Sequence, residues 1–354
     1  MQPKQITFPL DHKAHDTIIE WWYFNGHLKD AKGNRYGFMN CLFRANIEKV
    51  RIPHLEHLPL KKIFKEDQHM YFAHSMLADI ASGKNSKEIQ NVSMVSNDSF
   101  KQDRLFINYI DPVIVQGFVD NEIVETGPDE FHVKTKDFDL SLRSKKQPLL
   151  EGGDGFISVC GRESYYYSLT SLEASGSVVV DGRRVEVKGT SWMDHQWADT
   201  PYSRDKWTWF SLQLDDGTDM MCCEYDDGRT KDCLVDILPL SNRAAHYKRL
   251  SLSPGSDAWK SPTTKAEYPM SWDISVPEYD AALHVSSLAS DQEIIFMGIN
   301  YWEGPIEVRG TIGGTSVKGV GFMELVGYPS DYNYLIASGK EMAKKITELL
   351  VKKK

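Results

Sequence analysis

No run of residues in this chain approaches the ~20 consecutive apolar positions that a membrane-crossing helix requires, so a helical integral membrane protein is excluded. The opening Met1-Gln2-Pro3-Lys4-Gln5 lacks the apolar stretch of a secretory signal, and the expected location is the cytoplasm unless an export signal preceded it. Positive charge is scarce too: 41 Lys and Arg stand against 50 Asp and Glu, a net charge of −9. With no basic surface to displace counterions, the chain is no general nucleic-acid binder and gains no attraction to anionic lipid. Five cysteines, Cys41, Cys160, Cys222, Cys223 and Cys233, are odd in number and lack finger-like spacing, so reduced and mostly buried thiols are expected.

Motifs for several kinds of chemistry are missing as well. There is no Cys-x-x-Cys or His-x-x-x-His pair to pre-form a metal site. Asp194, His195, His74 and Asp79 are ligand types, but no metal is expected. Gly152-Gly153-Asp154-Gly155 does not lead into a helix as a nucleotide loop must, and no cofactor is expected. Ser191 and His195 lack the Gly-x-Ser-x-Gly elbow of a serine hydrolase.

What the chain has in quantity is aromatic residues, 9 Trp, 16 Tyr and 15 Phe, a load suited to strands and apolar pockets. Short alternating runs broken by turn signals recur from end to end. Trp22-Tyr23-Phe24-Asn25-Gly26-His27-Leu28 and Tyr36-Gly37-Phe38-Met39-Asn40-Cys41-Leu42-Phe43 flank the turn Lys32-Gly33-Asn34. Asp181-Gly182, Asp216-Gly217 and Asp227-Gly228 mark further hairpins. Residues 55–66, near Pro53 and Pro59, read as an inserted loop, and 338–354 carries Ala343, Ile346, Leu349 and Leu350 at helical spacing. At 354 residues two domains are the natural division. The expectation is an all-β chain of two lipocalin-like antiparallel barrels packed side by side, residues 1–200 and 201–354, with a linker at 201–205 and a short C-terminal helix.

The densest motif is Gly189-Thr190-Ser191-Trp192-Met193-Asp194-His195-Gln196-Trp197. In an extended strand Trp192, Asp194 and Gln196 share one face and Met193, His195 and Trp197 the other. His195 beside Trp197 is expected to point into an apolar cavity near the domain junction.

Together with this motif, several blocks resemble one family. They are Glu20-Trp21-Trp22-Tyr23-Phe24-Asn25-Gly26-His27-Leu28, then Tyr71-Phe72-Ala73-His74 with Asp79, then Ser164-Tyr165-Tyr166-Tyr167-Ser168. Tyr301-Trp302-Glu303-Gly304 and Glu324-Leu325-Val326-Gly327-Tyr328 follow toward the C-terminus. The chain resembles the carotenoid 1,2-hydratases (hydroxyneurosporene synthases) and related lipocalin-like proteins, among them a fungal hydratase of a prenylated isoflavonoid and fungal Diels–Alder-type pericyclases. The Asp-His-x-Trp and Tyr-x-Asp residues of the hydratases fall on His195, Trp197, Tyr225 and Asp227. Ala198, where the family often has glycine, and the lead-in Cys222-Cys223-Glu224 depart from its pattern.

The resemblance implies hydration of a C=C bond in an isoprenoid, carotenoid-like or other apolar polyene. Such a step needs a proton donor, a water, and a wall that tolerates a cation. A carboxyl buried in an apolar wall keeps its proton at neutral pH, so Asp194 and Asp227 are the candidate acids. His195 is suited to orient or deprotonate water, and Tyr225 completes the chain. Aromatic faces stabilise a cation by roughly 0.5–2 kcal/mol each, a task for Trp197, Trp21 and Trp22. Glu20, Tyr23, His74, Trp192 and Trp302 join Trp21 and Trp22 as expected substrate contacts. The partner is an apolar small molecule, with peripheral access to a membrane-dissolved substrate left open. Cyclisation or pericyclic rearrangement of a polyene, and simple carriage of a lipid or isoprenoid, are the alternatives.

Overall fold

The computed structural model describes residues 4–46, 49, 69–95, 102–110, 121–200, 205–296 and 299–330. The expected loop at 55–66, linker residues 201–204 and the C-terminal helix at 338–354 lie outside them. The chain is all-β and antiparallel. Its first sheet is built from β1 (Ile19–Asp30), β2 (Arg35–Asn46), β3 (His69–Asp79), β4 (Asn85–Val95), β5 (Phe106–Ile110), β6 (Asn121–Gly127), β7 (Glu130–Lys134), β8 (Phe138–Ser144), β9 (Leu149–Leu150), β10 (Phe156–Val159), β11 (Arg162–Val180) and β12 (Arg183–Ala198). The second takes β13 (Lys206–Leu214), β14 (Asp219–Asp226), β15 (Lys231–Leu238), β16 (Ala245–Tyr247) and β17 (Ser251–Pro254). After the small ribbon of β18 (Ala258–Lys260) and β19 (Glu267–Pro269) it continues with β20 (Ser271–Val276), β21 (Ala281–Ser287), β22 (Glu293–Phe296), β23 (Ile299–Ile312) and β24 (Thr315–Val326).

Three of the turns are set by the chemistry read from the sequence. Asp30 accepts hydrogen bonds from the Lys32 and Asn34 amides at 2.9 Å, and Gly33 takes φ +92°. Asp181 and Gly182, both at positive φ, make the tight β11–β12 hairpin. Asp227 and Gly228 turn β14 into β15, with Gly228 at φ +80°.

β11 closes the first sheet. Its 19 residues pair on one side with β10 and β9 along the first half and with β8 along the second, and on the other side with β12, where the register shifts between Leu169 and Leu172. The ring runs β11-β12-β1-β2-β3-β4-β5-β6-β7-β8 and back to β11. The second sheet runs β16-β15-β14-β13-β24-β23-β21-β20-β17, and its end strands carry no ladder to each other among the described residues.

Each sheet encloses its own core. Trp22, Phe24, Leu169, Met193 and Trp197 lie in the first, and Phe210, Leu212, Trp302, Met323 and Leu325 in the second. A third cluster, with Tyr23, Trp192, Trp209, Met221 and Phe322, lies between the sheets. The strands at this junction are covered on both faces, so residues 191–198 are buried without a break. Burial alone therefore does not separate the two faces of the central motif. No helix of the described residues is long and apolar enough to cross a membrane. Cys41, Cys222 and Cys223 are buried and Cys160 and Cys233 half-buried, all as free thiols.

Candidate functional site: an acid-lined cavity between the sheets

Between the outer face of the first barrel and the second sheet lies a cavity of about 200 Å³. Strand parity decides which residue of each motif reaches it. β1 contributes Trp21 and Tyr23, β12 contributes Asp194 and Gln196, and β11 contributes Ser164 and Tyr166. Across the junction stand Trp207 and Trp209 of β13, Tyr225 of β14, Tyr301 and Glu303 of β23, and Glu324 of β24. In the β1–β12 register Tyr23 is opposite Asp194 and Trp21 opposite Gln196, while Trp22 is opposite His195. The faces thus divide as the alternation predicts, and Asp194 rather than His195 belongs to the cavity.

Asp194 is buried and accepts hydrogen bonds from Tyr166 (2.7 Å), Ser168 (2.5 Å) and the Trp192 indole (2.5 Å). Tyr166 in turn accepts from the Trp209 indole at 3.1 Å. Burial pushes the Asp194 carboxyl up to about 6, and the three donors keep it from rising further. Glu303 accepts a short hydrogen bond from Tyr23. Burial, reinforced by the Glu324 carboxyl, pushes Glu303 well above the usual carboxylate range. Glu324 is pushed up to about 7 by burial, opposed by a hydrogen bond from the Trp207 indole. Tyr23, Tyr166 and Tyr225 are raised by burial and remain neutral phenols. His74 meets Tyr301 through a short Nδ1 hydrogen bond, and burial brings its imidazole down to about 3, so it is neutral. The cavity therefore unites carboxyls of unlike proton affinity with indole and phenol walls.

His195, Glu20, Trp22 and Trp197 lie on the other face, inside the first barrel. Glu20 is fully buried and accepts from His15 Nδ1 at 2.7 Å and His195 Nε2 at 2.9 Å, with the Arg44 guanidinium at 3.5 Å. Burial alone would raise Glu20, but the two imidazoles outweigh it and hold the carboxylate at about 2. Burial brings His195 down to about 4, so it is a neutral imidazole donating through Nε2. Its Nδ1 faces the Tyr167 hydroxyl at 3.2 Å, which also meets His12 Nδ1 at 2.6 Å. His15 is raised by its Glu20 and Asp11 hydrogen bonds against the opposing effect of burial. Trp197 stacks flat on it, with centroids 3.9 Å apart. Trp197 thus packs against a side chain of the protein. His12 and His15 belong to the N-terminal segment, which also seats Ile6 and Phe8 against the barrel core.

His15, Glu20 and His195 bring three metal-ligand atoms within 4.8 Å of one another. These atoms already satisfy each other, and the adjacent Arg44 cation opposes a divalent ion there.

Two expected site residues fall elsewhere. Asp227 caps an exposed turn, accepting from the Arg229 and Thr230 amides at 2.8 and 2.7 Å. Those bonds hold its carboxylate below the usual range, the opposite of what a proton donor needs. Trp302 lies in the second core and donates to the Ser290 carbonyl at 2.7 Å. Tyr166, Trp209, Glu303 and Glu324 were not singled out in the sequence. Three of these, Tyr166, Glu303 and Glu324, stand within the quoted blocks, and Glu303 is one step along the strand from Trp302, which was chosen. A more open groove of about 740 Å³ lies near Thr190 and Gln213 toward the other end of the same strands. Its buried acid, Asp219, is paired with Lys146 at 2.7 Å, unlike the acids of the cavity between the sheets.

This site and fold define an all-β, lipocalin-like protein with an acid-lined aromatic cavity between two curled sheets. The chain belongs to the AttH-like family, whose model it matches over residues 1–328. It is similar to the dehydratase asqC of Emericella nidulans, 24% identical over 205 residues, which is 53% of this chain and 58% of that protein. It thus spans less than two thirds of that relative's length. An AttH protein of Nitrosomonas europaea has a similar structure, at 26% identity and a TM-score of 0.74, with 93% of this chain and 98% of that one covered. Kievitone hydratase from Nectria haematococca shares the fold at 16% identity and a TM-score of 0.72, over 91% and 93% of the two chains.

Proposed function

We propose that this chain is a hydro-lyase that adds water to, or removes it from, a C=C bond of an apolar isoprenoid or other polyene without a cofactor, in the cavity where its N-terminal (1–200) and C-terminal (201–354) units meet. The observation that carries the reading is the pair Asp194 and Glu303, two carboxyls in one aromatic cavity whose surroundings set their proton affinities apart. The dehydratase relative and the resemblance to carotenoid hydratases support the reaction class.

In the hydration direction, protonated Glu303 gives its proton to an alkene carbon. The Tyr23 hydroxyl holds one Glu303 oxygen, leaving the other to carry the proton. Trp21, Trp207 and Trp209 face the carbon that becomes electron-poor. Water held against Asp194 attacks that carbon, and the Asp194 carboxylate takes the proton it releases. Dehydration is the same path in reverse. A cavity of about 200 Å³ accepts the reacting end of a long substrate rather than its whole length.

The test is mass spectrometry of acyclic isoprenoids and polyenes incubated with the protein in H₂¹⁸O. A product heavier by one labelled water, absent with Asp194→Asn and with Glu303→Gln, is expected. An isomer of unchanged mass would replace this reading by cyclisation, and a bound but unaltered ligand would replace it by carriage.

A further inference from the structure

We propose that Ser168, Glu151, Asp236 and His246 form a proton-conducting row joining Asp194 to solvent at the edge of the second sheet. The row gives a use to two buried carboxyls that the cavity chemistry leaves idle, and its purpose rests on Asp194 exchanging protons with substrate.

The row has a hydrogen bond at every step but one, where two carboxyls are neighbours. Ser168 Oγ lies 2.5 Å from Asp194 Oδ1 and 2.6 Å from Glu151 Oε1. Glu151 sits fully buried in the 3-10 turn Glu151–Gly153. Its second oxygen, Oε2, has no donor against it. Its neighbouring carboxyl is Asp236, which adds to burial in raising Glu151 well above the usual carboxylate range. Asp236 is held by the Gly152 amide at 3.0 Å and meets His246 Nδ1 at 3.0 Å, its cross-strand neighbour between β15 and β16. β16 is the edge strand, and His246 is half-buried there.

Two facing carboxyls hydrogen-bond only if they share a proton, and one serine hydroxyl between two carboxyls donates to one and must accept from the other. Each contact in the row therefore holds a transferable proton. When Asp194 takes a proton from water, it passes one to Ser168 Oγ while Ser168 gives its own to Glu151. Glu151 releases one from its other oxygen to Asp236, and Asp236 passes it to His246 and solvent. Ser168 and Glu151 end with as many protons as they began with, rotation of the Ser168 hydroxyl and transfer of the Glu151 proton between its oxygens reset them, and one proton has left the cavity. Reversal reloads Asp194. The charged or titratable groups facing the row are Glu303, Glu324, Tyr23, Tyr166, Tyr225 and Cys41 at the Asp194 end and Cys222 beside Glu151 and Asp236.

The measurement is time-resolved infrared spectroscopy of the carboxyl stretch of Asp194, identified by its loss in Asp194→Asn, after a laser-released proton pulse in substrate-free protein. Glu151→Gln keeps the shape of the side chain but cannot take part in the relay. It is expected to slow protonation of Asp194 at least ten-fold, as is Ser168→Ala. His246→Gln, at the half-exposed end, should slow it comparably, and free imidazole should restore the rate, which a merely structural role would not allow. Protonation at the wild-type rate in both Glu151→Gln and His246→Gln overturns the row. Because no substrate enters this measurement, a working row in a protein that hydrates nothing would overturn the proposed function and leave the row intact.

Discussion

Replacing Asp194 by asparagine should make this protein relatively more stable as the pH rises, while abolishing its turnover. Burial holds the Asp194 carboxyl at about 6, against 3.8 for an unperturbed aspartate. The folded chain thus binds this proton more tightly than the unfolded chain. Below pH 4 both states are protonated, and the group neither favours nor opposes folding. Between pH 4 and 6 the unfolded chain ionises first, and folding becomes progressively less favourable. Above pH 6 the full penalty applies, about 3 kcal/mol for a separation of roughly two units. Asparagine carries no such penalty, but its NH₂ faces donors that met a carboxylate oxygen, a cost of about 1–3 kcal/mol at every pH. The variant should therefore melt below wild type at pH 4 and recover by about 3 kcal/mol relative to it by pH 8. For a chain of this length that is on the order of 3–6 °C in the difference between the two melting temperatures. Differential scanning fluorimetry of both proteins at half-unit intervals reads it directly. A melting difference that stays flat from pH 4 to 8 would refute the claim that the cavity perturbs Asp194.

Glu303→Gln should lower turnover by about 10²–10⁴-fold, because an amide cannot supply the proton, and substrate binding should survive; initial rates and a ligand titration separate the two. Glu20→Gln is expected to lose about 3–5 kcal/mol at pH 7 by leaving the Arg44 charge inside the barrel uncompensated and the His15 and His195 donors without a carboxylate, which thermal melts will show. In wild type the Glu20 contribution is present above its unfolded value of 4.5 and is lost as pH falls toward about 2, so acid unfolding should be steep in that window and shallow in the variant. Asp227→Asn keeps the oxygen that caps its turn, so its stability should stay within about 0.5 kcal/mol of wild type with turnover unchanged; a large loss of turnover would bring Asp227 back as a catalytic group.

The sequence shows the fold class because turn chemistry is local. Asp181-Gly182 and Asp227-Gly228 sit in the hairpin turns they announce. The division of the central motif into two faces was also legible, since period-two alternation needs only the knowledge that residues 183–198 are a strand. Which face meets the cavity was not legible. His195 beside Trp197 suggests a site, but both faces of β12 are covered, one by the barrel core and one by the second sheet, so composition does not tell them apart. Glu303 was hidden one residue away from Trp302 for the same reason, and Tyr166 within a block of three tyrosines that alternate between the faces. Fixing a single cavity residue on each strand would have assigned the others by parity. Glu151 and Asp236 had no signal at all. Their meeting depends on a 3-10 turn of the first unit packing on β15 of the second, a long-range contact that no local pattern encodes.

The two faces of β1 and β12 do opposite things to stability, and this separation makes the cavity tenable. On the inner face Glu20 is matched by donors and cations to the point of a carboxylate near 2, so that face favours folding at neutral pH. On the outer face Asp194, Glu303 and Glu324 form no ion pair among the described residues, each raised by burial and the last two further by their neighbours' negative charge. Such a set opposes folding wherever its members ionise, and an isolated hairpin would relax to let water in. Here the strands that carry the acids are clamped by the aromatic core behind them, with Trp22 stacked on His195 and Trp197 on His15. The histidine and tryptophan that dominate the motif thus act one layer behind the chemistry, holding the strand whose other face presents the acid.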